Sequence, residues 1–350
     1  MPVLSAADAI SPAISRTRQF LFAPPFRWST FLKLCLVAAI TEGLGSNFNL
    51  NKEHRTTTGS PGNMDFHFTP EIIAAIVVGA VLLIVLGVLI AYLVTRLRFA
   101  YFHCLVSNTR EIRPGWELYG SQAMRFFLMN IVVGICFLLA IILVALPFVA
   151  GFFHFFQGIN AEGGPNWALL ISLVLPLIPL LLAIVLTAML LDIVLRDWML
   201  PHYALDDATA GQAWHAVWLH IKNEKRQFFV YSVLRLIAPI VAAFVLFILL
   251  IIPTLISVGG VAAAEYGIHS AFADSTGGAS VAGVALEVFI GILAFVFAMV
   301  VGISLGGPLS TGLREYAILF YGGRYQALAT VLFPPAPPVN PGIASGAPAV

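Results

Sequence analysis

The segment at 302–306 reads G-I-S-L-G and matches the G-x-S-x-G pattern that surrounds the nucleophile of many hydrolases. That pattern activates a serine only on a strained turn between a strand and a helix, with a histidine and an acid nearby. Here it lies inside a long apolar run, where small residues recur at every fourth position, a spacing typical of a closely packed helix face. These residues are Ala294, Ala298, Gly302 and Gly306. We therefore predict no catalytic residue and a protein that is not an enzyme.

Four of the ionisable residues within apolar runs are functional candidates, because burying a charged group in a membrane is costly. Asp192 and Arg235 fall at similar depths in neighbouring runs and are predicted to form an intramembrane pair, either a structural clamp or part of a proton relay. Glu42 and Glu287 fall in the outer halves of two further runs and are predicted to face an outer vestibule or to bind a cation together. The histidine spacing fits no metal motif, so neither a metal site nor a cofactor is predicted.

The composition excludes most soluble classes of protein. Of the 350 residues, 60% are hydrophobic and 10% are charged, and the mean hydropathy is +0.95. Charged residues make up about a quarter of a typical globular chain. A net charge of +1 leaves no basic excess to neutralise phosphates along a nucleic acid. The sequence therefore predicts an integral membrane protein and no nucleic-acid partner.

Apolar runs long enough to cross a bilayer, which takes about 20 residues, predict an all-α, multi-pass bundle of six transmembrane helices. Five runs are clear, and the first is shorter and carries Lys33 and Glu42 near its ends. The six predicted spans are 28–46, 71–95, 126–150, 167–195, 228–258 and 281–307. They form one membrane domain over residues 28–332, preceded by a segment at 1–27 with an interfacial helix and followed by a disordered, Pro-rich tail at 333–350.

The distribution of cations predicts the orientation. With six spans, every Lys and Arg except Lys52 and Arg55 falls on the side that holds both termini. Cytoplasmic segments carry the excess of Lys and Arg in membrane proteins. Both termini are therefore predicted to be cytoplasmic, in the inner membrane of the cell.

Basic and aromatic residues between the spans predict amphipathic helices at the inner face. Trp116 follows Arg98 by 18 residues, and Trp214 follows Arg196 by the same interval, which suggests a pseudo-threefold repeat of two-helix units. In the second copy, Asp206 is a candidate helix cap. Such helices lie along an anionic membrane surface, although a helix packed under the bundle is the alternative. The candidate interfacial anchors are Trp116, Trp214, Trp218, Lys222, Lys225 and Arg226.

Two short motifs carry a resemblance to a known family. One is Phe22-Ala23-Pro24-Pro25-Phe26-Arg27-Trp28 before the first span, and the other is Asp197-Trp198-Met199-Leu200-Pro201 followed by Ala213-Trp214. Together they resemble the six-span membrane domain of some bacterial glycerophosphoryl diester phosphodiesterases and of related stand-alone membrane proteins of unknown function. The resemblance implies the membrane fold alone, because the sequence has no separate catalytic domain.

These observations favour a non-enzymatic accessory or scaffold protein that organises membrane lipids, or a membrane or cytoplasmic protein partner, at the inner leaflet. The alternative is a small transporter or lipid-handling permease. Pro176 and Pro179 in the fourth span, and Pro239 and Pro253 in the fifth, predict helix kinks. Interrupted helices form substrate sites in transporters.

Overall fold

The computed structural model describes residues 3–43, 70–159, 167–272 and 278–334, and every regular element in these ranges is helical. The predicted all-α class is confirmed. The helices are α1 (Ile10–Phe22), α2 (Trp28–Ala38), α3 (Pro70–Val106), α4 (Arg113–Leu118), α5 (Gly120–Ile159), α6 (Trp167–Ile193), α7 (Leu200–Leu205), α8 (Ala210–Asn223), α9 (Lys225–Phe272), α10 (Gly278–Gly322) and α11 (Gln326–Leu332). Two π-helical segments, Ala39–Gly43 and Val194–Met199, extend α2 and join α6 to α7.

Five helices are long and apolar enough to cross a membrane, in agreement with five of the six predicted spans. They are Ile73–Val106, Gly120–Phe156, Leu170–Leu205, Lys225–Phe272 and Val281–Gly322. In the most apolar stretch of each, no residue is buried inside the protein. A continuous apolar surface of this length is unfavourable in water and is matched by the hydrocarbon core of a bilayer. The chain is therefore a membrane protein with several crossings.

The buried core lies at one end of these helices. We call this region the packed end; it comprises residues 3–43, 95–127, 193–235 and 303–334. Helices α3, α6 and α10 end there, whereas α5 and α9 begin there. Its largest fully buried side chains are mostly aromatic, and the Tyr231 and Phe320 rings, for example, stack with centroids 4.2 Å apart. The lipid-exposed remainder of each long helix is its distal segment.

Helix α2 and its π-helical extension do not form a sixth crossing in the described residues. Together they have sixteen residues, a length of about 24 Å at 1.5 Å per residue, and the hydrocarbon core is about 30 Å thick. Residues 44–46 of the first predicted span lie outside the described residues. The described part of the chain thus gives five membrane-crossing candidates rather than six.

The direction of α2 also differs from that expected of a first span. Cys35 lies directly against Gly307, and the Glu42 carboxylate lies 3.9 Å from the Arg314 guanidinium. Glu42 follows Cys35 by seven residues on α2 and its extension, and Arg314 follows Gly307 by the same number on α10. An antiparallel pair would separate Glu42 and Arg314 by about 20 Å, so α2 and α10 run in the same general direction. In a six-span chain, the first and last spans would run in opposite directions.

Close helix packing occurs beside the predicted small-residue face rather than on it. A Cβ atom at Gly302 would have no neighbour within 4 Å, and one at Gly306 would only touch Leu246. At Gly307, by contrast, a Cβ atom would overlap Cys35 of α2. The close-packing glycine is therefore Gly307, and the missing side chain allows α2 to approach the α10 backbone.

Candidate functional site

Four arginines and two carboxylates from five elements meet at the packed end, with Arg196 and Asp197 on the same π-helical segment. Each arginine lies on a long helix, or on the π-helical segment that continues one, at the point where the apolar part of the helix reaches the packed end. All four arginines are therefore at a similar depth along the bundle. We call the group the arginine cluster; it consists of Arg98, Arg196, Arg235, Arg314, Glu42 and Asp197.

Glu42, at the end of the α2 extension, bridges three arginines. Its Oε2 atom accepts hydrogen bonds from Nη2 of Arg196 at 3.0 Å and from Nη2 of Arg235 at 3.4 Å. Its Oε1 atom lies 3.9 Å from Nε of Arg314. The side chain is only 2% exposed, so these cations compensate a charge that water does not solvate.

Asp197 makes a second bridge from the π-helical segment after α6. Arg235 donates from Nε to Oδ2 at 2.9 Å, and the Tyr231 hydroxyl donates to the same oxygen at 2.8 Å. Arg314 donates from Nη1 to Oδ1 at 3.2 Å. Arg235 and Arg314 thus contact both carboxylates, and this network connects α2, α9 and α10.

Asp192 and Arg235, predicted as partners, do not pair with each other. Asp192 accepts a hydrogen bond from Nη1 of Arg196, one helical turn away, at 2.9 Å, and Arg235 pairs with Glu42 and Asp197. The predicted pair is therefore wrong, because the depth of a residue in its apolar run does not say which helices are neighbours. Asp192 keeps a side chain that is 56% exposed.

Glu42 and Glu287, predicted as a pair of outer carboxylates, lie far apart. Glu42 contacts Arg314, and Glu287 precedes Arg314 on α10 by 27 residues, which is about 40 Å of helix. The placement of Glu42 in the same half of the membrane as Glu287 is therefore wrong. It follows from treating α2 as a span that runs away from the packed end.

Arg98 differs from the other three arginines of the cluster. It donates from Nη2 to the carbonyl of Thr41 at 3.2 Å and makes no salt bridge with a described carboxylate, and its Nε is buried without an acceptor. The Thr41 carbonyl also accepts a bond from Arg196 at 2.7 Å. The Arg98 guanidinium is thus held by a backbone carbonyl and not by a direct ion pair with a described carboxylate.

The predicted interfacial anchors on α8 lie at the surface of the packed end. Trp214 and Trp218 are 49% and 47% exposed, whereas Ala213 and Val217 are buried. Lys222 lies one turn beyond Trp218, with its Nζ 5.9 Å from the centre of the indole. We call the exposed set Trp214, Trp218, Lys222, Lys225 and Arg226 the α8 face.

Trp116, the anchor predicted in the first copy, has a different environment. It is half-buried on α4, and the Arg96 guanidinium stacks on its indole, 4.5 Å from the centroid. Arg96 also donates to the carbonyl of Trp116 at 3.1 Å. In the second copy, the position that corresponds to Arg96 is Val194, two residues before Arg196, and Trp214 stays exposed. The two copies therefore make different contacts, and the pseudo-threefold repeat stays a prediction.

Helix α8 begins later than predicted. Asp206 lies beyond the end of α7, and the N-cap is Thr209, which forms a capping box with Gln212. Asp206 instead lies 3.4 Å from Nδ1 of His202. Near the other end of α8, burial lowers the pKa of His220 below its ordinary value, although Glu224 acts in the opposite direction.

The G-x-S-x-G segment takes a helical form. Ser304 lies within α10, and its hydroxyl donates to the carbonyl of Val300 at 2.7 Å, one turn back. This bond is the usual one for a serine inside a helix, and it differs from the strained elbow of a hydrolase. In the described residues, no group of three His, Cys, Asp or Glu side chains is placed to hold a metal ion.

Sequence reasoning found the α8 face but missed most of the arginine cluster. Arg98 and Arg196 entered the prediction as markers of orientation and of the repeat, Arg314 as a marker of orientation, and Asp197 as part of a motif. One feature of the sequence could have revealed the cluster. The long apolar runs are bordered by arginines at the ends that form the packed end, and few acidic residues lie nearby to pair with them.

Residues 4–331 match a protein family described as a family of unknown function, DUF7544. No curated protein matches the chain, and no solved structure matches it. The matched segment includes all five long helices, the arginine cluster and the α8 face. The chain therefore belongs to the family of unknown function DUF7544.

Proposed function

We propose that this protein is a non-enzymatic accessory or scaffold of the cytoplasmic membrane, which gathers anionic lipid, and through it a protein partner, at the inner leaflet. The observation that carries the proposal is the α8 face. It combines two exposed indole rings with three exposed cations on α8 and the first turn of α9. Indole rings favour the membrane–water interface, and each Lys or Arg near an anionic surface contributes about 1 kcal/mol of attraction.

The orientation belongs to the same proposal. Every Lys and Arg among the described residues lies in the packed end, and the described distal segments carry none. By the positive-inside rule, this asymmetry favours a cytoplasmic packed end. The α8 face would then meet the leaflet that holds most of the anionic lipid.

The test compares lipid enrichment in a variant that lacks the α8 cations. The protein with Lys222→Ala, Lys225→Ala and Arg226→Ala is reconstituted into nanodiscs of phosphatidylcholine with a minority of phosphatidylglycerol. We expect the phosphatidylglycerol enrichment around the protein, measured by mass spectrometry, to fall severalfold at low salt. The enrichment of the native protein should also fall with added salt, because exposed charges are screened.

Arg113→Ala is the control for this measurement. Arg113 is exposed and basic, but it is neutralised by Glu117 at 2.7 Å and lies on α4. Its removal should leave the enrichment unchanged. Equal enrichment in the triple variant and the native protein would refute the proposed role of the α8 face.

A lipid-handling permease is the second candidate, and a cavity favours it. Asp192, Arg235 and Glu42 line a cavity of about 340 Å³ that also touches Pro239 of α9. Charged groups around a cavity beside a helix proline resemble the sites of transporters. Movement of labelled phosphatidylglycerol between the leaflets of proteoliposomes would support this function. Lipid enrichment without such movement would support the accessory role.

Two finer predictions stay with this proposal. A sixth crossing depends on residues outside the described ranges. The likeness to the membrane domain of glycerophosphoryl diester phosphodiesterases also stays a prediction, since the matching family is one of unknown function. A phosphodiesterase activity is not part of the proposal.

A further inference from the structure

Two cavities at the packed end share three charged residues. The first is the cavity of about 340 Å³ between α6, α9 and the α2 extension. The second is a groove of about 720 Å³ between α3, α5 and α6. Arg98, Asp192 and Arg196 line both of them. The two spaces therefore border the same two guanidinium groups and one carboxylate.

The charge around these spaces is not balanced. Glu42 and Asp197 are each engaged by Arg235 and Arg314, and neither carboxylate forms a salt bridge with Arg98. Asp192 pairs with Arg196, but it is more than half exposed, so the pair is only partly desolvated. The cluster as a whole, with Asp192, holds four cations and three anions. Of the four arginines, Arg98 is the one that forms no salt bridge with a described carboxylate, and it lines both cavities.

The groove provides an apolar surface next to this charge. Its lining runs along the distal side of α3 through Gly87, Ile90 and Val94, and is completed by Ile131 of α5 and other apolar residues. These stretches of α3 and α5 belong to the membrane-crossing candidates. An amphiphile with an anionic head and an acyl chain matches this pattern, with its head at Arg98 and Arg196 and its chain along α3.

Phosphate is the anion that best fits two neighbouring guanidinium groups. The planar guanidinium fork donates two parallel hydrogen bonds to phosphate oxygens. Basic pockets between transmembrane helices on the cytoplasmic side bind phosphate-bearing lipid head groups. We propose that the space lined by Arg98 and Arg196 binds the phosphate group of an anionic membrane phospholipid, with one acyl chain in the groove between α3, α5 and α6.

This site is separate from the α8 face, and its arginine side chains are more deeply buried than the exposed cations there, with Arg196 only 12% exposed. Binding there should involve a small, fixed number of lipids and should resist salt, because partly buried charges are screened less than exposed ones. Salt resistance distinguishes it from the diffuse enrichment expected at the α8 face. The proposal for this site and the proposal for the α8 face can therefore fail independently of each other.

The test titrates the detergent-solubilised full chain with phosphatidylglycerol and counts bound lipids by native mass spectrometry at high salt. Arg98→Gln removes the charge but keeps an N–H donor for the Thr41 carbonyl. We expect it to weaken binding about tenfold or more, since hydrogen bonds to charged groups are strong. Arg96→Gln is the matched control: it lies two residues away on α3 and lines neither cavity. It should bind like the native protein.

Asp192→Asn gives a change of opposite sign. It removes the half-exposed carboxylate that competes for Arg196, so the affinity for phosphatidylglycerol should rise. A gain of affinity cannot come from loss of folding, and this variant therefore keeps the proposal testable if Arg98→Gln is unstable. Unchanged or weaker binding in Asp192→Asn would overturn the proposal.

Inorganic phosphate distinguishes the source of the anion. If phosphatidylglycerol binds with the expected pattern of variants and inorganic phosphate competes weakly or not at all, the lipid assignment is supported. Binding of inorganic phosphate that depends on Arg98, without binding of phosphatidylglycerol, would overturn the lipid assignment. Binding of phosphatidylglycerol that is equal in Arg98→Gln and the native protein would overturn the site itself.

Discussion

Glu42 shows how one residue can connect several helices. It contacts three arginines from the π-helical segment after α6, from α9 and from α10, and its side chain is almost fully buried. Removing one partner of a buried ion pair is strongly destabilising because it leaves the opposite charges uncompensated. Here a single carboxylate balances several guanidinium groups, so its loss affects more than one contact.

The variant Glu42→Gln should therefore lower the free energy of unfolding by about 3 kcal/mol. The measurement is thermal unfolding in detergent, followed by intrinsic fluorescence. Glu287→Gln is the matched control, since Glu287 lies on the distal segment of α10, about 40 Å from the cluster along the helix. It should unfold like the native protein. Equal unfolding temperatures for the two variants would show that the cluster contributes little to stability.

At the scale of elements, the contact between α2 and α10 fixes the position of the cluster. Gly307 lets the two backbones approach, and seven residues later Glu42 reaches Arg314. Helix α1 also packs along α10: Arg16 pairs with the buried Glu315 at 3.2 Å. The N-terminal helices thus belong to the core of the packed end.

Substitution at Gly307 should disturb this contact selectively. Gly307→Ala places a methyl group where Cys35 lies, and overpacking of this kind costs about 1–3 kcal/mol. Its unfolding temperature in detergent should fall. Gly302→Ala, five residues earlier on the same helix, meets open space and should be neutral or slightly stabilising, because alanine favours helix more than glycine does. A loss of stability in both variants would argue against the specific approach at Gly307.

At the scale of the whole molecule, charge and burial divide the chain in the same way. The described cations and most of the buried core lie in the packed end, while the distal segments expose long apolar surfaces. This separation suits a protein whose packed end reaches the polar interface and whose distal segments contact lipid tails.

The proposed orientation predicts the accessibility of engineered cysteines. Tyr266, 79% exposed on the distal segment of α9, and Lys222, on the α8 face, are each replaced by cysteine in a Cys136→Ser background. Cys35 and Cys104 are buried. In intact cells, a membrane-impermeant maleimide should label Tyr266→Cys, and it should label Lys222→Cys only after permeabilisation. The reverse pattern would contradict a cytoplasmic packed end.

The sequence by itself determined the class of the protein and most of its crossings. Five long apolar runs became α3, α5, α6, α9 and α10, because a run of this length can satisfy its backbone hydrogen bonds in lipid only as a helix. The amphipathic helix that carries Trp214 and Trp218 was also predicted, from basic and aromatic residues close together along the chain. Both features depend on residues that are close together along the chain, so they can be predicted from a single sequence.

Only the tertiary structure decided the pairing of charges and the direction of α2. Asp192 and Arg235 have similar depths but separate partners, and Glu42 joins arginines that are more than 150 residues away in sequence. Which helices are neighbours depends on side-chain packing, such as Cys35 against Gly307, and hydropathy contains no information about it. The arginine cluster and the cavities beside it therefore became visible only once the helices were assembled.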